Sequence, residues 1–220
     1  MKLSRTKRLG WLSAALILST CGLVTADDWP GPQTREVFSA NREHFVRVVP
    51  GESWGDSAGF EGASKGSYAK AMFYHLRADG SYGPGATAAL LNPVAPVEFF
   101  VTDRGYLVTL DNWHNMGYGK ILALYGPDAA PIKSYELKDL FSEEEINHFD
   151  KSVSSIWWHK GPAYVDIDQK TIFISLDDKG TDLILDATFG TYRSCKWQDI
   201  VHVKDFVCRS SNIGRQWLPF

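Results

Sequence analysis

Apolar runs and turn-forming residues alternate along this chain in the manner of an antiparallel meander, most plainly between residues 99 and 137. Residues 101–105 read as a turn and 106–110 as a strand of β-branched and aromatic side chains. A polar loop at 111–119 follows, then a returning strand at 120–125, a turn at 126–131 and a third strand at 132–137.

Two further copies of the pattern flank this one. In the first, a turn beginning at Phe38 leads into a strand with Phe45, Arg47 and Val49 on one face and Val46 and Val48 on the other. Residues 51–66, rich in Gly and Ser, form a long loop, and 68–78 return as a strand closed by a turn at Asp79 and Gly80. In the last copy, a turn at 165–170 precedes a strand at 171–176, and a polar turn at 177–181 precedes a strand at 183–188. Placing Phe45, Leu107 and Phe173 in register gives separations of 62 and 66 residues, a period that suggests stacked supersecondary units.

One helix interrupts the strands, near residues 142–151. Ser142 and Glu145 form a capping box, and Glu143, Glu144 and Glu145 face the positive end of the helix dipole. Leu140 or Phe141, Ile146 and Phe149 supply an apolar stripe for docking on the sheet.

The expected fold class is all-β: an antiparallel meander of about three blade-like units with one short helix. The turn-plus-strand pieces FSANREHFVRV, VTDRGYLVTL and DIDQKTIFISL resemble the inner-strand motif of WD-like and Tol-type β-propeller blades, with Asn41 and Asp103 at the place of the turn aspartate. The glycine that should follow is missing or displaced in each piece. The resemblance covers three segments, each about a quarter of a blade. It implies propeller-like strand repeats of the kind found in secreted bacterial proteins and brings no function with it. Closed propellers usually have four or more blades, so three units are compatible with an incomplete propeller, a sandwich or a barrel.

The first residues change the compartment. Lys2, Arg5, Lys7 and Arg8 precede an apolar run from Leu9 to Val24, and small residues lead to Ala26 before Asp27 and Asp28. This is the layout of a secretory signal peptide cut after Ala26, too short for a membrane span, and no later segment approaches a transmembrane span. Residues 18–22 also resemble a bacterial lipoprotein box, which would lipidate Cys21, but Thr20 stands where Gly, Ala or Ser is normal. The expected organisation is a leader at 1–26, an extended lead-in at 27–36 and a single β domain at 37–220, placed in the periplasm or secreted.

Cleavage removes four cations of 23, leaving 19 basic against 26 acidic residues and a formal charge of −7. That balance excludes the electropositive footprint of a nucleic-acid binder. Cys195 and Cys208 survive processing, and in an oxidising compartment the even pair reads as a disulfide closing a short loop.

Candidate chemistry concentrates in two loops. In the first, Trp113 and Tyr118 could stack on a sugar ring while Asp111, Asn112 and His114 hydrogen-bond its hydroxyls; the bland alternative is a wide hairpin stabilised by its Asn, Asp and Gly. The second, Trp157-Trp158-His159-Lys160-Gly161, repeats the Trp-His order, and loops at one rim of a repeated fold come together. In its bland reading both Trp pack at an edge and His159 is solvated. A metal held by His114, His159 and a carboxylate such as Asp111 or Asp166 lacks every spaced-ligand motif. Asp166, Asp168, Asp177, Asp178 and Asp182 match no calcium loop. No nucleophile elbow, phosphate loop or dinucleotide fingerprint occurs, so no cofactor is expected.

The reading that follows is an exported, non-catalytic β domain that binds a glycan or an envelope protein through its aromatic rim. The alternative is an envelope hydrolase acting on sugars or peptides with His114 as acid and base. Open sheet edges would also suit a homodimer.

Overall fold

The computed structural model describes residues 29–52, 66–161, 163–165, 171–176, 181–186 and 190–196. Among them, fourteen strands form three four-stranded antiparallel sheets, each in simple sequential order, and one two-stranded ribbon, accompanied by two short helices; no sheet closes into a barrel. The first sheet holds β1 (Arg35–Phe38), β2 (His44–Val49), β3 (Lys70–Leu76) and β4 (Tyr82–Ala89). The second holds β5 (Pro96–Val101), β6 (Leu107–Asn112), β7 (Leu122–Tyr125) and β8 (Pro131–Tyr135). Helices α1 (Leu137–Leu140) and α2 (Glu143–His148) and the two-stranded ribbon β9 (Asp150–Lys151) and β10 (Ile156–Trp157) come next. The third sheet holds β11 (Tyr164–Val165), β12 (Thr171–Ser175), β13 (Thr181–Asp186) and β14 (Tyr192–Lys196).

The middle sheet is covered on both faces, which is why its two central strands are apolar without alternation. Leu107, Ala123 and Tyr125 face back onto Val46, Val48, Ala71 and Phe73 of the first sheet. Val108, Leu110, Leu122 and Leu124 face forward onto Ile172, Ile174, Leu183 and Leu185 of the third. Every residue of β6 and β7 is buried. On the first sheet the alternation expected of β2 holds: Val46 and Val48 enter this core, whereas Phe45 joins Phe38, Tyr74 and Tyr82 on the opposite face.

The register of the repeat needs one correction. Phe45 and Leu107 are equivalent in pairing, since each lies opposite the last residue of the preceding strand, Phe38 and Val101. In the third sheet that place belongs to Ile172, paired with Val165 and packed on the middle sheet. Phe173 lies one residue late, on the other face. The separations are therefore 62 and 65 residues, and the one-residue difference moves a side chain across the sheet.

The helix expected near 142–151 is shorter and has a neighbour. The capping box forms as its sequence dictates: Ser142 Oγ accepts from the Glu145 amide at 3.3 Å, and the Glu145 carboxylate accepts from the Ser142 amide at 2.8 Å. The helix stops at His148 because Phe149 turns extended, and Asp150 and Lys151 enter the ribbon with β10. Phe149 packs edge-on against Phe141 at 5.1 Å, so the apolar stripe docks on the core through both ends of the helix.

The outer strands β4 and β8 are poor templates for a further strand. Each carries a proline, Pro84 or Pro131, and each pairs with its neighbour through a register shift. The loop at 53–65, the tail beyond 196 with Cys208, and Asp166, Asp168, Asp177 and Asp178 lie outside the described residues; the disulfide and calcium readings therefore lie there too. No helix among the described residues is long and apolar enough to cross a membrane.

Candidate functional site

Asp111 organises the region where the two Trp-His loops meet. Its residue has φ of +57°, which twists the end of β6 and turns a carboxylate into the interior, where the side chain is fully buried. Oδ1 accepts the Gly117 amide at 2.9 Å and the Trp158 indole N–H at 3.0 Å. Oδ2 accepts the same indole at 3.1 Å and His159 Nε2 at 2.9 Å. Its backbone carbonyl accepts from Asn92 Nδ2, and its amide donates to the Ile121 carbonyl.

His159 is held at both ring nitrogens. Nδ1 lies 3.0 Å from the Gly161 carbonyl, which can only accept, so this nitrogen carries a proton. Nε2 faces the Asp111 carboxylate. The side chain is 8% exposed and locked between two acceptors, a geometry that favours the doubly protonated ring. Burial opposes its charge, but the hydrogen bond and charge of Asp111, the Gly161 carbonyl and the charge of Glu98 together hold its pKa above the ordinary histidine value. The solvated His159 of the bland reading is therefore replaced by a buried ion pair. Trp158 is wholly buried and packs on Phe141, while Trp157 is exposed.

The loops are tied by backbone as well: the Ile156 amide donates to the Met116 carbonyl at 2.9 Å. Gly117, at φ of +78°, lies so close to Ile156 that a Cβ would come within 2.7 Å of its side chain and carbonyl. Glycine is required there on both counts.

The remaining candidates divide. Asn112 is buried and its amide is spent on the Tyr118 and Lys120 carbonyls and, through Oδ1, on Asn92. Tyr118 packs against the forward core, and among the described residues no ring contact joins it to Trp113. Trp113 and His114 instead form a partly exposed aromatic group with Trp29: ring centroids are 5.4 Å apart for Trp29 and Trp113 and 5.8 Å for Trp29 and His114. The Trp113 indole donates to the Pro30 carbonyl at 3.0 Å. Burial lowers the pKa of His114. Among the described residues no group of three or more His, Cys, Asp or Glu side chains converges as metal ligands would.

Three contributors come from outside the two loops. Trp29 is one. Arg35, in β1, lays its guanidinium 5.0 Å from the Phe99 ring and 5.7 Å from the Trp113 ring and donates to the Pro96 carbonyl at 2.6 Å. Glu98, in β5, feels the charges of His159, Asp111 and Arg35 and accepts one long hydrogen bond, 3.4 Å, from the Ala163 amide. Burial raises the Glu98 pKa, partly offset by His159, the Ala163 amide and Arg35; burial likewise lowers that of Arg35, partly offset by Glu98. No local motif marks any of the three. The one available signal is Glu98 itself, an acid inside an otherwise apolar strand.

No family model matches the chain, and no curated protein matches it. Among solved structures, the chain is similar to a periplasmic gluconolactonase of Pseudomonas aeruginosa, at 10% identity and a TM-score of 0.37, over 74% of this chain and 56% of that one. The chain thus spans little more than half the length of that structure, and a score of that size does not establish a shared fold.

Proposed function

We propose that this protein is an exported, non-catalytic binding domain that takes a carbohydrate at the rim formed by Trp29, Arg35, Glu98, Trp113 and His114. The observation that carries the reading is a division of labour among neighbouring polar groups. Asp111 and His159 have spent their hydrogen-bonding capacity on each other, on Trp158 and on the backbone, which suits a clamp and leaves no nitrogen for acid–base chemistry. Arg35, beside the partly exposed Trp113 indole, and Glu98, near the Ala163 amide, keep donors and acceptors unspent. Flat apolar surface with convergent polar groups is what a sugar ring requires.

Export rests on the basic and apolar leader of the sequence. A glycan and peptide array with the wild-type protein beside Trp113→Ala tests the function. Selective glycan retention, lost in the variant while its far-ultraviolet spectrum is unchanged, is the expected result; peptide retention alone would replace the ligand with an envelope protein.

A further inference from the structure

We infer that the rim prefers acidic sugars, a uronate carboxylate docking on the Arg35 guanidinium while the ring lies against the Trp29–Trp113 surface. This names the ligand class of the site proposed above and rests on that proposal.

Arg35 carries five N–H donors, of which one reaches an acceptor among the described residues, the Pro96 carbonyl. Its guanidinium is partly withdrawn from water against two aromatic rings, yet among the described residues no carboxylate lies within ion-pair distance of it. A partly desolvated cation with unspent donors and no close counter-ion gains most from an incoming anion, and a planar fork matches a carboxylate in two-pronged fashion. Phe99 and the Pro96 carbonyl hold the fork in place, so little side-chain freedom is lost on binding.

The charged groups around it decide how acidity acts. Among the described residues, Glu98 is the carboxylate whose charge acts on Arg35 and so opposes an incoming anion. Asp111 is neutralised by the imidazolium of His159, and burial keeps His114 toward its neutral form. Burial raises the Glu98 pKa, so on acidification this carboxyl discharges ahead of an ordinary one while the sugar acid stays ionised. Affinity for a uronate therefore rises on acidification as Glu98 takes up its proton, and affinity for a neutral sugar does not follow it.

Titration calorimetry of the full chain with trigalacturonate and with galactotriose, which differ chiefly in the C6 carboxylate, tests the inference. The acidic trisaccharide is expected to bind about tenfold more tightly at pH 7, the worth of one charge-assisted two-pronged contact. That ratio should widen as the pH is lowered, and Arg35→Gln should bring it close to one, weakening trigalacturonate binding far more than galactotriose binding. Arg35→Lys, which keeps the charge without the fork, should retain only part of the preference. Equal affinities for the two sugars overturn the acidic preference and leave carbohydrate binding intact. Binding of neither sugar overturns the carbohydrate reading and the preference with it. An Arg35→Gln variant that keeps the full preference assigns the carboxylate elsewhere and overturns this site.

Discussion

The backbone amide of Asn41 donates to Oδ1 of Asp103 at 2.8 Å, joining two turns that lie 62 residues apart in consecutive sheets. That spacing is the repeat length of the first two units. The Asn41 side chain adds a contact to the Asp103 carbonyl at 3.4 Å, so one unit's turn is fastened to the corresponding turn of the next. Asp103→Ala removes the main acceptor at an exposed position, and a loss of about 0.5 kcal/mol is expected in denaturant unfolding. The sharper readout is local: hydrogen exchange at the Asn41 amide should accelerate while the amides of β6 stay protected.

Asp111 is far more consequential. Removing its carboxylate leaves the Trp158 indole, the Gly117 amide and a buried imidazolium without their acceptor. Asp111→Ala should cost about 3–5 kcal/mol, the usual loss when one partner of a buried ion pair is deleted. A marginally stable protein loses a large part of its stability in this way. Equilibrium unfolding of the variant checks this.

Two groups give stability a pH dependence of stated sign. The folded pKa of His159 is raised, so its contribution is complete below the unfolded value of about 6.5 and is lost as pH climbs through the folded value. Glu98 is also raised, and for a carboxyl this means ionisation is disfavoured in the folded state. Its effect is a loss of stability that begins above the unfolded value of about 4.3. Thermal midpoints should thus decline as pH rises above about 6.5, and His159→Gln should flatten that decline. Below that pH, His114, whose pKa burial lowers, acts in the opposite sense to Glu98, so Glu98→Gln should leave midpoints that climb more steeply with pH there.

Gly117→Ala tests how the loops are joined. The new methyl would meet both side chain and carbonyl of Ile156, at a backbone angle alanine adopts only with strain. The expected result is a loss of about 2 kcal/mol or more in unfolding experiments, combining the clash with the left-handed strain. Indole fluorescence from buried Trp158 should change with it, because the Gly117 amide and that indole share the same carboxylate.

Legibility in the sequence followed burial. Strands β6 and β7 announce themselves because both faces are covered and their runs are almost wholly apolar. Strand β4, Tyr-Gly-Pro-Gly-Ala-Thr-Ala-Ala, has a loop's composition and is a strand only because an edge tolerates proline and β3 supplies its ladder. Strand β1 is concealed within the extended lead-in for want of apolar alternation. The geometry of the candidate site was legible only in part. Two Trp-His loops meeting at one rim follows from the repeat, but Asp111 rather than His114 makes the junction, since only the fold shows which side chain the left-handed residue turns inward. Arg35 and Glu98 gain meaning solely from convergence across sheets, which no spacing encodes.

Whether Asp111 and His159 form a clamp or a reacting pair decides the function. Nitrogen-edited magnetic resonance of the histidine rings at pH 7, with His159→Gln identifying the relevant signals, measures this directly. Protons on both Nδ1 and Nε2 of His159, in an imidazolium that exchanges slowly, are the predicted result. A neutral His159 ring with one bare nitrogen would contradict it and restore that residue as an acid–base group.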